Sequence, residues 1–167
     1  MINTKEQSFL KMKSKGKKGE SAVKDYYLKN GHNVIDVSED NEFQKMDIDF
    51  IIDGNFVEVK TQSSINKSNK IVLELETEHY DSLIKKGWFN YTEANILLFY
   101  DIENNIAYTV DTKELREFYN KYRNSDLIQD YYFDEDTKVS RLAYISIDLI
   151  KDKIKSFKKT DYNIMTA

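Results

Sequence analysis

The sequence predicts a single α/β domain, with a mixed central β-sheet and helices on both sides. Three observations predict it. Apolar runs of strand length alternate with helical segments along the 167 residues, with no internal repeat and no obvious linker. Residues 47–62, DIDFIIDGNFVEVKTQ, read as two strands around an Asp53-Gly54-Asn55 turn, a strong hairpin signal. The composition, 40% apolar and 32% charged, suits a globular chain large enough for a sizeable core.

The elements follow in order. Glu20 to Lys29 reads as a helix, with Gly19 before it and Gly31 as its stop. Glu20, Val23 and Tyr27 share one face, so Glu20 sits on the apolar stripe that should pack on the sheet. His32 to Val37 reads as a short strand and Glu39 to Met46 as a polar loop. The hairpin strands are Asp47 to Ile52 and Phe56 to Gln62. Lys70 to Glu76 reads as a strand, Glu78 to Lys86 as a helix and Ala94 to Tyr100 as a continuous apolar strand. Ile106 to Val110 follows as a strand after the Glu103-Asn104-Asn105 turn. Thr112 can cap a helix running to about Tyr122. Arg141 to Ile147 reads as the final strand, before a Lys-rich helix to about Lys158; segment 123–138 is polar and aromatic and has no assignment.

Charge is unevenly spread. The net charge is −4, but residues 1–24 hold seven lysines against Glu6 and Glu20, a local balance of +5 that leaves −9 for the rest. Seven acids fall between Glu39 and Glu58. A basic arm beside an acidic centre fits a protein that grips a polyanion and holds a cation near it; a solvated basic tail is the bland reading. The absence of cysteine excludes disulfides and thiolate metal sites. The Lys-rich start lacks the apolar core of a signal peptide, and no apolar run approaches a membrane span, so a cytoplasmic address is expected.

The hairpin carries Asp47, Asp49, Glu58 and Lys60 on strands expected to be buried, where unpaired charge costs several kcal/mol. Reading the Asp53-Gly54 loop as two residues long gives facing positions that sum to about 105, and a longer loop gives 107 or 108. In the 107 register Asp49 faces Glu58 and Asp47 faces Lys60. Strand alternation groups Glu58, Lys60 and Gln62 on one face, and Asp47 with Asp49. Carboxylates so placed repel unless a cation sits between them, and Mg²⁺ prefers such oxygen ligands.

Glu20 on a first helix, an Asp on a strand and Glu58-Val59-Lys60 on the next strand together resemble the PD-(D/E)XK nuclease superfamily. The resemblance covers roughly residues 16–101, with spacing similar to Holliday-junction resolvases and to restriction-type and phage nucleases. It implies a restriction-endonuclease-like αβββαβ core. Residues 1–17 would then be a basic arm, 18–101 the nuclease core and 102–167 a C-terminal extension. It implies that Asp49 and Glu58 bind Mg²⁺ (Mn²⁺ substituting), that Glu20 completes the site, and that Asp47 is the rival to Asp49. Lys60 would orient the attacking water and stabilise charge on the phosphate, and Gln62 would contact metal-bound water or substrate. The superfamily's leading Pro is missing, because the chain has no proline. DNA is the implied partner, gripped in part by Lys11, Lys13, Lys15, Lys17 and Lys18, and a homodimer is compatible with cutting two strands. Abundant Asn, Ile and Lys suggest a phage or an AT-rich bacterium.

The alternatives are a salt-bridged hairpin with no chemistry and a nuclease-like fold that only binds DNA or protein. His79 reads as a helix-surface residue rather than a ligand. Glu74 reads as solvated or as bordering the cleft. Trp88 and Tyr91 read as core, with base stacking as the second reading.

Overall fold

The computed structural model describes residues 4–80, 83–135 and 138–164. The first element is one long helix, α1 (Thr4–Lys29). It begins sixteen residues earlier than the expected Glu20 start, so the described part of the basic arm is helical rather than a tail. It ends as expected: Gly31 takes φ +80, and His32 N–H bonds back to the Tyr27 carbonyl at 3.0 Å. Gly19 lies inside α1 rather than before it. There a Cβ would come within 2.8 Å of the Thr61 Cβ, so glycine is what lets the helix lie against the sheet.

Next come β1 (Val34–Asp36), α2 (Asn41–Lys45), β2 (Phe50–Ile52) and β3 (Asn55–Gln62). The segment read as a polar loop contains α2, whose first turn is capped by the Asp40 carboxylate accepting from Glu42 and Phe43 N–H. The strand expected from Asp47 starts only at Phe50. Asp47 has φ +55 and bonds back to α2, which breaks the extended run. The hairpin turn is two residues long, with both Asp53 (φ 48) and Gly54 (φ 83) left-handed, as a type I′ turn requires. Ile52 pairs with Asn55 and Phe50 with Val57, so the two-residue turn produces the 107 register, not 105.

Then follow α3 (Ile65–Ser68), β4 (Lys70–His79), β5 (Ile84–Lys86), α4 (Trp88–Tyr91), β6 (Ile96–Asp101), β7 (Ile106–Asp111) and α5 (Thr112–Tyr122). The helix expected over Glu78–Lys86 is instead the end of β4, a turn and β5; residues 81 and 82 of that expectation lie outside the described residues. The α5 cap is Asp111, which accepts from Glu114 N–H at 2.9 Å, and not Thr112. The chain closes with β8 (Ile128–Glu135), β9 (Lys138–Ser146), α6 (Ile147–Lys153) and β10 (Lys158–Asp161). Segment 123–138 therefore contains a strand, β9 is not the last strand, and the Lys-rich helix stops before Lys158.

The strands form two sheets. The central one is mixed, in the order β1-β2-β3-β6-β7-β10, with β3 and β6 parallel and its other pairs antiparallel. The second is antiparallel, in the order β5-β4-β9-β8. The apolar run of β6 is explained by burial on both faces. Leu98 and Tyr100 pack with Val23 of α1, Phe50, Val57 and Val59. Leu97 and Phe99 pack with α5, α6 and the inner face of the second sheet. The central sheet thus has α1 on one side and α5, α6 and the second sheet on the other. Among the described residues no helix is long and apolar enough to cross a membrane.

Candidate functional site

The site forms where β2 and β3 begin to part. Asp49, just before β2, donates its N–H to the Val57 carbonyl at 3.0 Å, one residue out of the 107 register, so it sits as a bulge beside Phe50 with its carboxyl in hydrogen-bonding reach of Glu58. Its side chain then replaces the next ladder bond: Oδ2 accepts from Val59 N–H at 2.9 Å. Glu58 is only 4% exposed. Its neighbour two residues on, Lys60, places Nζ in ion pairs with Glu58 Oε1 and, at 3.2 Å, with Asp47 Oδ2. Asp47 reaches Lys60 from the left-handed turn after α2, where Thr92 Oγ1 holds the Asp47 carbonyl at 2.9 Å. Asp47 and Asp49 therefore do not alternate along one strand, yet both approach β3.

The electrostatics describe a shortage of positive charge. Burial pushes Glu58 well above the carboxylate range, and the charges of Asp49 and Asp47 add to the rise despite Lys60. Burial also raises Asp49, against the Val59 hydrogen bond and Lys60, which lower it. Glu20 is pushed up to about 7, first by burial and then by the charges of Asp49 and Asp36. That coupling ties Glu20 of α1 electrostatically to the hairpin acids. Burial alone would lower the Lys60 ammonium, but Glu58 and Asp47 together lift it above the ordinary lysine value. Lys60 is thus the cation that these two acids share.

Sequence reasoning missed the neighbours supplied by α4. The Trp88 ring lies 4.8 Å from Lys60 Nζ, a cation–π contact that steadies the ammonium. Tyr91 lies within the fields of Asp47, Lys60, Glu58 and Glu74, which puts Glu74 at the border of the site. The sequence reading places Trp88 and Tyr91 in the core, and no pattern in it sets them beside Lys60. Gln62 is engaged differently from expectation. Its amide donates to the Val72 carbonyl at 2.9 Å and accepts from Val72 N–H at 3.3 Å, pinning β3 to the open edge of β4. His79 ends a strand rather than lying on a helix. Of the arm lysines, Lys15 bonds Ser63 Oγ and Lys17 pairs with Glu39 at 3.0 Å, while Lys11, Lys13 and Lys18 are exposed. A groove of about 490 Å³ lined by Tyr26, Tyr27, His32 and Asp53 contains none of Asp47, Asp49 and Glu58.

Among the described residues no three His, Cys, Asp or Glu side chains are gathered as a ready metal cage. Lys60 instead bridges two of the acids. The donor chemistry nevertheless suits a hard divalent cation: Asp47, Asp49, Glu58 and Glu20 offer only oxygen, and Lys60 alone opposes them within the hairpin. Asp47 Oδ2 is also buried without a hydrogen-bond partner, its contact with Lys60 being an ion pair outside hydrogen-bond geometry.

No protein-family model matches the chain, and no curated protein matches its sequence. Among solved structures, the chain is similar to a bacterial homing endonuclease, I-Ssp6803I, with a TM-score of 0.46 and 19% identity, over 60% of this chain and 69% of that one. An overlap this loose does not extend to the chemistry of the site.

Proposed function

We propose that this chain is a Mg²⁺-dependent deoxyribonuclease of the PD-(D/E)XK type, an endonuclease that hydrolyses DNA phosphodiesters. The observation that carries the reading is the meeting of Asp49, buried Glu58 and Lys60 on one antiparallel pair, with Glu20 of α1 coupled to them. Asp49, Glu58 and Glu20 would hold the cation, with Asp47 as the rival ligand. When bound, such a cation supplies Lewis acidity toward a phosphoryl oxygen and acidifies water. Lys60, kept protonated, donates to the phosphate and offsets charge that grows during in-line attack. Trp88 and the carboxylates that grip Lys60 fix its direction in advance. Gln62 supports this arrangement from behind, by joining β3 to β4. Phage or restriction origin, and a homodimer for double-strand cutting, belong to the same proposal.

The test is a panel of labelled duplex, single strand, flap and four-way junction, incubated with the protein with and without Mg²⁺ or Mn²⁺. Metal-dependent cleavage of any member supports the reading. DNA binding without cleavage in either metal would make the chain a non-enzymatic binding module instead.

A further inference from the structure

The face of α1 that packs on the central sheet does not stop where the sheet stops. Val23 is fully buried and Gly19 is buried against Thr61. Stepping back by helical spacing, the same stripe passes through Gly16, Met12 and Phe9. Met12 and Phe9 are 61% and 62% exposed, and every described side chain from Glu6 to Ser14 is exposed. The stripe thus projects beyond the body as an apolar face that nothing among the described residues covers. Lys13 lies seven residues before Glu20 and so shares its side of α1, flanking the Phe9 and Met12 stripe. Gly16 carries no side chain between Lys13 and Glu20, and the nearest atom to a Cβ there would be Glu20 Oε1 at 4.0 Å.

The charge on the projection selects the occupant. Lys11, Lys13 and Lys18 are exposed, while Lys15 and Lys17 are tied to Ser63 and Glu39 and hold the helix to the body. Pairing two such arms would bring their lysines together and is disfavoured. Duplex DNA offers what the arm lacks: phosphate rows flanking grooves whose floors expose apolar edges and thymine methyl groups.

We propose that the projecting part of α1 is a groove-reading arm: Lys11 and Lys13 take phosphates, and Phe9 and Met12 lie against base edges of duplex DNA. The inference rests on the nuclease reading above. At about 1.5 Å per residue, Met12 and Phe9 stand roughly 12 and 16 Å along the helix from Glu20. At about 3.4 Å per base step this keeps the contacted bases within roughly five base pairs of the phosphate nearest Glu20. The arm would then determine sequence preference beside the cut, not the cut itself.

The experiment uses the full chain and labelled duplex in Ca²⁺, titrated at several salt concentrations, with Phe9→Ala/Met12→Ala and Lys11→Gln/Lys13→Gln proteins. Circular dichroism first establishes that the variants fold, as substitution at exposed positions should allow. The apolar pair should weaken binding roughly tenfold, equivalent to partly burying two apolar side chains, and leave the salt slope unchanged. The lysine pair should flatten the slope by roughly one to two. A benzophenone side chain replacing Phe9 should crosslink to DNA within roughly five base pairs of the cleavage position. Unchanged affinity of both variants while wild type binds and cuts would overturn the arm and leave the nuclease reading standing. A crosslink to a second copy of the chain, with a dimer that the apolar pair dissolves, would also overturn it. Failure of wild type to bind DNA would remove both.

Discussion

Glu20→Gln should stabilise the metal-free protein, and only at neutral to alkaline pH. The Glu20 carboxyl is raised from 4.5 to about 7 because folding half-buries it beside Asp49 and Asp36. The folded chain therefore keeps a proton that the unfolded chain releases over this window. By linkage, stability is fully present below about pH 4.5 and falls as pH rises toward and through 7. A shift of this size corresponds to about 3 kcal/mol for a shielded group. Glu20 is open to solvent on one side, and discounting for screening leaves about 1–2 kcal/mol. Glutamine has no proton to lose. The variant should therefore match wild type near pH 4 and melt about 3–6 °C higher at pH 8 in EDTA, for a domain of this size. Thermal melts by circular dichroism at pH 4, 6 and 8 measure this directly. Adding Mg²⁺ at pH 8 should narrow the gap by stabilising wild type more. An equal difference at pH 4 and pH 8, or a variant less stable at pH 8, would refute the electrostatic account of Glu20.

Other expectations follow from the same structure. Gly19→Ala should cost about 1–3 kcal/mol by overpacking against Thr61, although Ala normally favours a helix, and Thr61→Ala should recover part of the loss in urea unfolding. Lys60→Met should destabilise the fold by about 3–5 kcal/mol in EDTA, because Glu58 and Asp47 lose their shared cation; denaturant midpoints at equal m-value test it. Gln62→Ala should speed hydrogen exchange at the Val72 amide while much of any cleavage activity survives, whereas abolished activity with unchanged exchange would restore a catalytic role for Gln62. Asp49→Asn should damage Mg²⁺-dependent cleavage more than Asp47→Asn, because the Asp49 carboxyl meets Glu58 while Asp47 is engaged by Lys60; the reverse order in saturating Mg²⁺ would transfer the ligand role to Asp47.

Local chemistry was legible wherever one short segment decides the structure. Asp53-Gly54 announced the hairpin, Gly31 the end of α1, and the continuous apolar run of β6 its burial on two faces. Pairing between distant segments was not legible. Tyr80, Leu83 and Ile84 have the spacing of a helical face, yet all three are exposed, and the segment instead extends β4 to meet β9 and turns into β5. The same non-local pairing makes a strand of Ile128–Glu135, whose pattern alone carried no assignment. In the site, the acids and Lys60 were legible from residue type and spacing. The facing of Asp47 and Lys60 was one of the registers the hairpin allowed; the Trp88 ring beside Lys60 and the commitment of Gln62 to Val72 were not legible, because each joins distant segments through tertiary packing.

The central claim is that Glu58, with Asp49 and Lys60, forms a centre for metal-dependent phosphodiester hydrolysis. Its most direct measurement is the rate at which wild type and Glu58→Ala cleave the same labelled DNA in Mg²⁺, side by side with melts that show both are folded. The account expects cleavage by wild type that EDTA abolishes, and none measurable from Glu58→Ala. Cleavage by the Glu58→Ala protein at the wild-type rate would contradict it.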